Sequence, residues 1–216
     1  MSDHHHPNIT LHPPITTAAD PAGVQPAQPV PAPAWLQGKW HVTHSTLPMW
    51  RSKRNVTITY TPVADSTKID DLVEYQALDG NKLASDDKLK SVHGVDTPAA
   101  DCAGWAWDWR GKGWLVIASS RWEVLGYGDE GDGGQAAEAV GGAQVQAPER
   151  RQWVVTYFAK TLFTPAGIDL YSRHPDGLRP GTVEAIGEAL ARVEDEGVRK
   201  LAKDLFEVKM DGARKE

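Results

Sequence analysis

The sequence predicts an all-β domain, a barrel or a sandwich, followed by a helix. Three observations carry this. From Trp35 to about residue 173, short runs of alternating or β-branched character follow one another at the spacing of an antiparallel β protein. Turn chemistry separates them, as in Asp79-Gly80-Asn81, Arg110-Gly111-Lys112-Gly113 and Thr164-Pro165-Ala166-Gly167. After Pro180-Gly181 the apolar period lengthens from two to that of a helix. At 216 residues the chain has room for one domain with a substantial core.

Residues 1–34 are proline-rich and poor in large apolar side chains, which predicts a disordered tail. His4, His5 and His6 lie in it as a solvated tract, because an unpacked segment fixes no metal geometry. The domain then occupies 35–216. Strands are predicted at 38–47 (GKWHVTHSTL), 54–63 (RNVTITYTPV), 67–77 (TKIDDLVEYQA) and 88–97 (KLKSVHGVDT). Four more follow at 113–119 (GWLVIAS), 121–127 (RWEVLGY), 152–160 (QWVVTYFAK) and 167–173 (GIDLYSR). Residues 104–109 (GWAWDW) are either an added strand or the lead-in to the fifth. The glycine- and alanine-rich stretch 128–149 reads as a long mobile loop. Val183, Ile186, Leu190 and Val193 then form one helical stripe, with Thr182 as N-cap, Glu184 in the first turn and Gly197 ending or bending the helix. A second amphipathic piece contains Leu201, Leu205 and Phe206.

The formal charge of −6 argues against an electrostatic funnel for nucleic acid or an anionic membrane. The single cysteine, Cys102, excludes an intramolecular disulfide and Cys-based zinc patterns, and suits a reducing compartment. There is no basic stretch followed by an apolar one at the N-terminus, and no run of about 18 apolar residues. A cytoplasmic protein without stable membrane insertion is therefore expected. No G-x-S-x-G, phosphate-loop, dinucleotide or H-E-x-x-H pattern is present, so neither cofactor nor metal is predicted.

Three ordered motifs resemble the lipocalin family of the calycin superfamily. Gly38-Lys39-Trp40, with Leu47-Pro48 after it, is similar to the first-strand Gly-x-Trp of that family. Asn55-Val56-Thr57-Ile58-Thr59-Tyr60 and Leu170-Tyr171-Ser172-Arg173-His174-Pro175 resemble the second and last strands of its bacterial and apolipoprotein D-like branch. Order and spacing agree from about 35 to 195. The resemblance implies an eight-stranded antiparallel up-and-down barrel with a C-terminal α-helix, whose interior holds one small ligand. It further implies that Gly38, Trp40 and Arg173 are structural, with Trp40 plugging the closed end and Arg173 lying across its indole. The tail, the Trp105/Trp107/Trp109 segment, the 128–149 loop and the missing signal peptide depart from the family and argue against a secreted or membrane-tethered carrier role while leaving the barrel intact.

If Trp40 points inward, a period of two sends Val42, His44 and Thr46 inward and His41 outward. His44 then either meets a ligand or is a neutral imidazole satisfied by a nearby hydroxyl. Of the nine tryptophans, Trp105, Trp107 and Trp109 share one face of any strand they form, as packing or as the lining of an aromatic cavity. Trp50, Trp114, Trp122, Trp153 and Tyr157 add aromatic surface. In the loop Pro48 to Arg54, the cations Arg51, Lys53 and Arg54 either steer the anionic end of a ligand or are solvated.

The expected ligand-lining set is therefore His44, Thr46, Trp50, Arg51, Tyr60 and Trp107, together with Trp109, Trp114, Trp122 and Tyr157. The first expected function is binding of a small hydrophobic metabolite, aromatic, polycyclic or isoprenoid-like, in the barrel lumen. The alternative is a cofactor-independent isomerase, dehydratase or cyclase of secondary metabolism. It would act on a biosynthetic intermediate through His44, Asp108 and Glu123 as acid–base groups, with Tyr60 or Tyr157 as donors. The oligomeric state is left open.

Overall fold

The computed structural model describes residues 8–18, 20–78, 88–113, 116–130 and 151–212. A four-residue helix, α1 (Pro33–Leu36), leads into eight strands: β1 (Gly38–Ser45), β2 (Lys53–Pro62), β3 (Ile69–Ala77), β4 (Lys90–Pro98), β5 (Ala106–Gly111), β6 (Ser119–Asp129), β7 (Gln152–Phe158) and β8 (Gly167–Ser172). Each is antiparallel to the next. β8 returns to pair with β1, which also pairs with β2, so the sheet closes into an up-and-down barrel. Pleating sends Trp40, Val42, Ile58, Tyr60, Trp122 and Tyr171 into one buried cluster inside the barrel. Leu125, Val155, Ile168 and Leu170 point outward into a second cluster, covered by α2 (Pro180–Arg192) and α3 (Glu196–Ala202). No helix among the described residues is long and apolar enough to cross a membrane.

The fifth strand is the tryptophan segment, not the run at 113–119. In Trp107-Asp108-Trp109 the aromatic rings alternate with a solvent-facing carboxylate, as a half-buried strand requires. Val116 and Ile117 have no such alternation and sit in a turn, 52% and 86% exposed. The helix starts differ too. Pro180 occupies the first helical position, where its missing N–H costs nothing, and Thr182 falls inside the first turn instead of capping it. Gly197 lies within α3; the break comes at 193–195, where the Asp195 carboxylate accepts the Val198 N–H at 2.7 Å.

Phe206 is not helical. Phe206–Glu207 forms a short strand, β9, on β1, and the chain continues between β1 and β2 where these diverge. There Val208 N–H donates to the Thr43 carbonyl and Asn55 N–H to that of Lys209, both at 2.8 Å. Arg54, 1% exposed, pairs with Asp211 at 2.6 Å and fixes the inserted C-terminal segment.

The predicted disordered tail is partly ordered. Ile9 and Ile15 are buried, and His12 N–H donates to the Leu125 carbonyl at 3.0 Å. A proline-rich segment cannot build its own ladder, but it can place a few apolar side chains in external grooves while the barrel supplies acceptors for its N–H groups. His4, His5, His6, the Asp79-Gly80-Asn81 turn, Trp114 and the 128–149 loop from residue 131 onward lie outside the described residues.

Candidate functional site

The base of the barrel is shut. Trp40 donates its indole N–H to the Leu36 carbonyl at 2.8 Å, and the Arg173 guanidinium lies 3.7 Å from the Trp40 ring centroid. Arg173 also donates to the carbonyls of Lys39 (3.0 Å) and Trp35 (2.6 Å), so charge, stacking and hydrogen bonds converge on one lock. Gly38 completes it. Its φ is +92°, and a Cβ there would stand 3.1 Å from Arg173 Nη1.

Toward the other end the lumen widens into a cavity of about 220 Å³. Its walls include Trp50, Tyr60, Tyr75, Trp109, Trp122 and Tyr171, with Ile58, Val73 and Phe158 between them. Trp122 is the hub: it stacks on Tyr60 at 5.5 Å and on Trp107 at 4.6 Å. Trp109 lies flat over Gly94, where any Cβ would come 2.1 Å from its Nε1. Loops at this mouth expose Met49, Val116, Ile117, Leu162 and Phe163.

Three carboxyl groups are built into this aromatic interior. Asp169 accepts hydrogen bonds from Ser45 Oγ (2.5 Å) and Trp50 Nε1 (3.1 Å). Asp96 accepts from Trp122 Nε1 at 2.8 Å, and Asp71 lines the cavity directly opposite Tyr60 in the β2–β3 ladder. Burial pushes the Asp96 and Asp169 carboxyls up to about 7, with the indole and hydroxyl donors opposing it only in part. Burial, then the neighbouring Asp96, holds Asp71 well above the carboxylate range, and burial raises the Tyr60 and Tyr171 phenols.

Of the residues expected at the site, Trp50, Tyr60, Trp109 and Trp122 meet at this cavity, and Trp107 backs it. His44 does not. A bulge between Val42 and His44 absorbs Thr43 and reverses the parity of β1, so Ser45 faces in and His44 faces out, opposite Leu170 and Glu207. Its Nδ1 lies 3.1 Å from Thr43 Oγ1; burial lowers its pKa, and Glu207 opposes that. Thr46 spends its hydroxyl accepting the Ile168 N–H at 2.9 Å.

Tyr157 and Trp153 point outward into the helix-side cluster. Asp108 faces solvent and pairs with Arg121 at 2.7 Å. Glu123 is buried but lies outside the lumen, where it accepts the Ile15 N–H at 2.9 Å and the Thr16 hydroxyl. The acid–base trio His44, Asp108 and Glu123 is therefore not assembled in the lumen. Arg51 stacks on Phe206 at 3.9 Å and Arg54 pairs with Asp211, leaving Lys53 as the loop cation at the cavity, 5.0 Å from the Trp50 ring and 4.8 Å from Tyr75. Trp114 is outside the described residues. Asp71, Asp96, Asp169 and Tyr171 were not expected. Strand parity would have found three of them, since Asp71 shares a face with Ile69 and Val73, and Asp169 with Tyr171.

No protein-family model matches the chain, and no curated protein sequence matches it. Solved structures do. Insecticyanin from the tobacco hornworm Manduca sexta is similar over 85% of this chain and 83% of its own, at 13% identity and a TM-score of 0.56. Apocrustacyanin C2 is similar over 82% of this chain and 79% of its own, at 11% identity and a TM-score of 0.50. Both are lipocalins, and the chain has the fold they share: a closed eight-stranded antiparallel up-and-down barrel with a C-terminal helix.

Proposed function

We propose that the barrel binds one small, mainly apolar, ring-bearing molecule in its lumen. The observation that carries this reading is the aromatic cavity of about 220 Å³ above a base closed by Trp40 and Arg173. An apolar cavity of about 150 Å³ accepts benzene, so this one suits a ring with a short substituent better than a fused polycycle or a long isoprenoid chain. Ring burial supplies the affinity at about 25 cal/mol per Å² before association costs. Acid–base catalysis through His44, Asp108 and Glu123 is the weaker reading, because none of the three reaches the cavity. The first-, second- and last-strand motifs support kinship with the bacterial and apolipoprotein D-like branch, and the lone Cys102 supports residence in the cytoplasm.

The test is native mass spectrometry of the purified protein, followed by tryptophan-fluorescence titration across a panel of one- and two-ring compounds. Saturable one-to-one quenching is expected. A panel without any saturable ligand overturns the proposal.

A further inference from the structure

We infer that the lumen selects a protonated amine: an aromatic ring carrying a short alkylammonium arm, with the arm directed at Asp71 and Asp96. This rests on the lumen-binding reading and specifies the chemistry of its ligand.

The floor of the cavity is built for a donor. Tyr60 on β2 faces Asp71 on β3, which faces Gly94 on β4; Asp96 lies two residues along β4, opposite Ile69, on the same inner face. Asp71 is 6% and Asp96 0% exposed. Trp109 and Trp122 each donate one indole hydrogen bond to these carboxyls, yet Asp71 Oδ1 and Asp96 Oδ2 have no hydrogen-bond partner among the described residues. An unmet buried carboxyl oxygen is costly to a fold; Asp71 lines the cavity and Asp96 is buried behind it on the same face, so the pair offers acceptors to a donor that reaches past the wall. An ammonium brings three N–H donors and no acceptor, which matches a surface that offers acceptors.

The walls agree with the floor. Trp122, Trp109 and Tyr60 line the same cavity, with Tyr60 and Trp122 stacked on each other, and an aromatic lining attracts a cation. The protein already uses this contact at the mouth, where the Lys53 ammonium stands over Trp50 and Tyr75. An anionic ligand would meet the Asp71 and Asp96 carboxyls below and Asp169 on β8, and the Tyr60 and Tyr171 phenols, kept neutral by burial, would be the donors it found there. Lys53 is the charge that works against an amine. It sits at the rim, donating to the Met49 carbonyl at 2.9 Å, and not at the floor. The proton that a neutral carboxyl gives up as the ammonium docks passes to solvent, so charge balances without any further group.

Isothermal titration calorimetry of the full-length protein at pH 7 with 2-phenylethylamine, 2-phenylethanol and phenylacetate separates the possibilities. The amine is expected to bind at least tenfold more tightly than the alcohol, with phenylacetate weakest. Asp71→Asn should weaken the amine at least tenfold and abolish its preference over the alcohol. If the alcohol or phenylacetate matches or exceeds the amine, the amine assignment is overturned and lumen binding stands. If none of the three binds the folded protein while the wider panel yields a saturable ligand, the amine assignment falls and lumen binding stands; if the panel is empty as well, both fall. Should Asp71→Asn fail to fold, Asp96→Asn provides the second variant, and the order of the three ligands on the wild type decides the assignment by itself.

Discussion

Arg173, directly after the last strand of the barrel, and Trp40, in the first, are stacked at 3.7 Å, and this contact closes the sheet across its seam as well as its base. Arg173 contributes through two carbonyl hydrogen bonds as well as through the ring. Arg173→Ala should lower stability by about 2–3 kcal/mol, as expected for losing charged hydrogen bonds and a cation–π contact. Trp40→Ala leaves a cavity in place of a fully buried indole and should cost about 3–5 kcal/mol. Arg173→Lys should fall between wild type and Arg173→Ala, since an ammonium does not reproduce the planar fork. Urea denaturation of the three variants checks the order.

Asp96 predicts an unusual pH dependence. Its carboxyl titrates near 7 in the folded protein, against about 4 in an unfolded chain, so between these values the native state keeps a proton that the unfolded state has lost. Stability of the ligand-free protein should therefore fall as pH rises from about 4 to 7 and level off above that, by an upper limit of roughly 4 kcal/mol for this one group. Asp169, shifted in the same direction to about 7, adds to the trend. Asp96→Asn retains an acceptor for Trp122 and removes one titrating proton, so it should make the curve shallower, with Asp71 and Asp169 keeping the rest of the slope, and raise the urea midpoint at pH 8. Midpoints of wild type and variant at pH 5 and pH 8 provide the measurement. A wild-type midpoint that rises across this range contradicts it.

Much of the barrel was legible because a closed sheet prints its period on the sequence. Seven of its strands fall on runs that alternate, and the Gly38-Lys39-Trp40 and Leu170 to Pro175 motifs mark the two strands that meet at the seam. The fifth strand was misplaced because Leu115 to Ala118 is apolar without alternating, whereas the true strand carries its outward polarity in Asp108 and Arg110 alone, between the tryptophans. His44 shows the limit of period counting. One bulge residue, Thr43, reverses every side chain after it, and nothing in the residues themselves announces a bulge. Composition misjudged the N-terminal segment for a different reason: its few apolar residues suffice because the barrel supplies the other half of each contact, Ile9 joining the helix-side cluster and Ile15 the cluster that holds Trp40 and Trp105. The lumen acids were passed over because aspartate reads as surface until the parity of its strand is followed.

Glu123 ties that N-terminal segment down. Its carboxylate is wholly buried and accepts the Ile15 and Thr16 N–H groups together with the Thr16 hydroxyl. Glu123→Ala removes the acceptor and strands buried donors, at a cost of about 2–3 kcal/mol. The segment should then open locally before the barrel does. Hydrogen exchange at the Ile15 and Thr16 amides should accelerate in the variant while the β1 and β8 amides stay protected. Uniform loss of protection would mean that the contact stabilises the barrel as one unit.

His44 and Trp109 make opposite predictions for ligand binding although both sit on barrel strands. Outside the lumen, His44 touches Thr43 and faces Glu207, so His44→Ala should leave the affinity of a lumen ligand within about twofold of wild type. Trp109 forms part of the cavity wall and holds the Asp71 carboxyl. Its loss removes ring contact of roughly 60–80 Å², about 1.5–2 kcal/mol, or ten- to thirtyfold in affinity. The ratio of the two effects, read by fluorescence titration with any saturable ligand, tests the reversal of parity at Thr43. A tenfold loss in His44→Ala with Trp109→Ala unchanged would return the histidine to the lumen and refute the bulge.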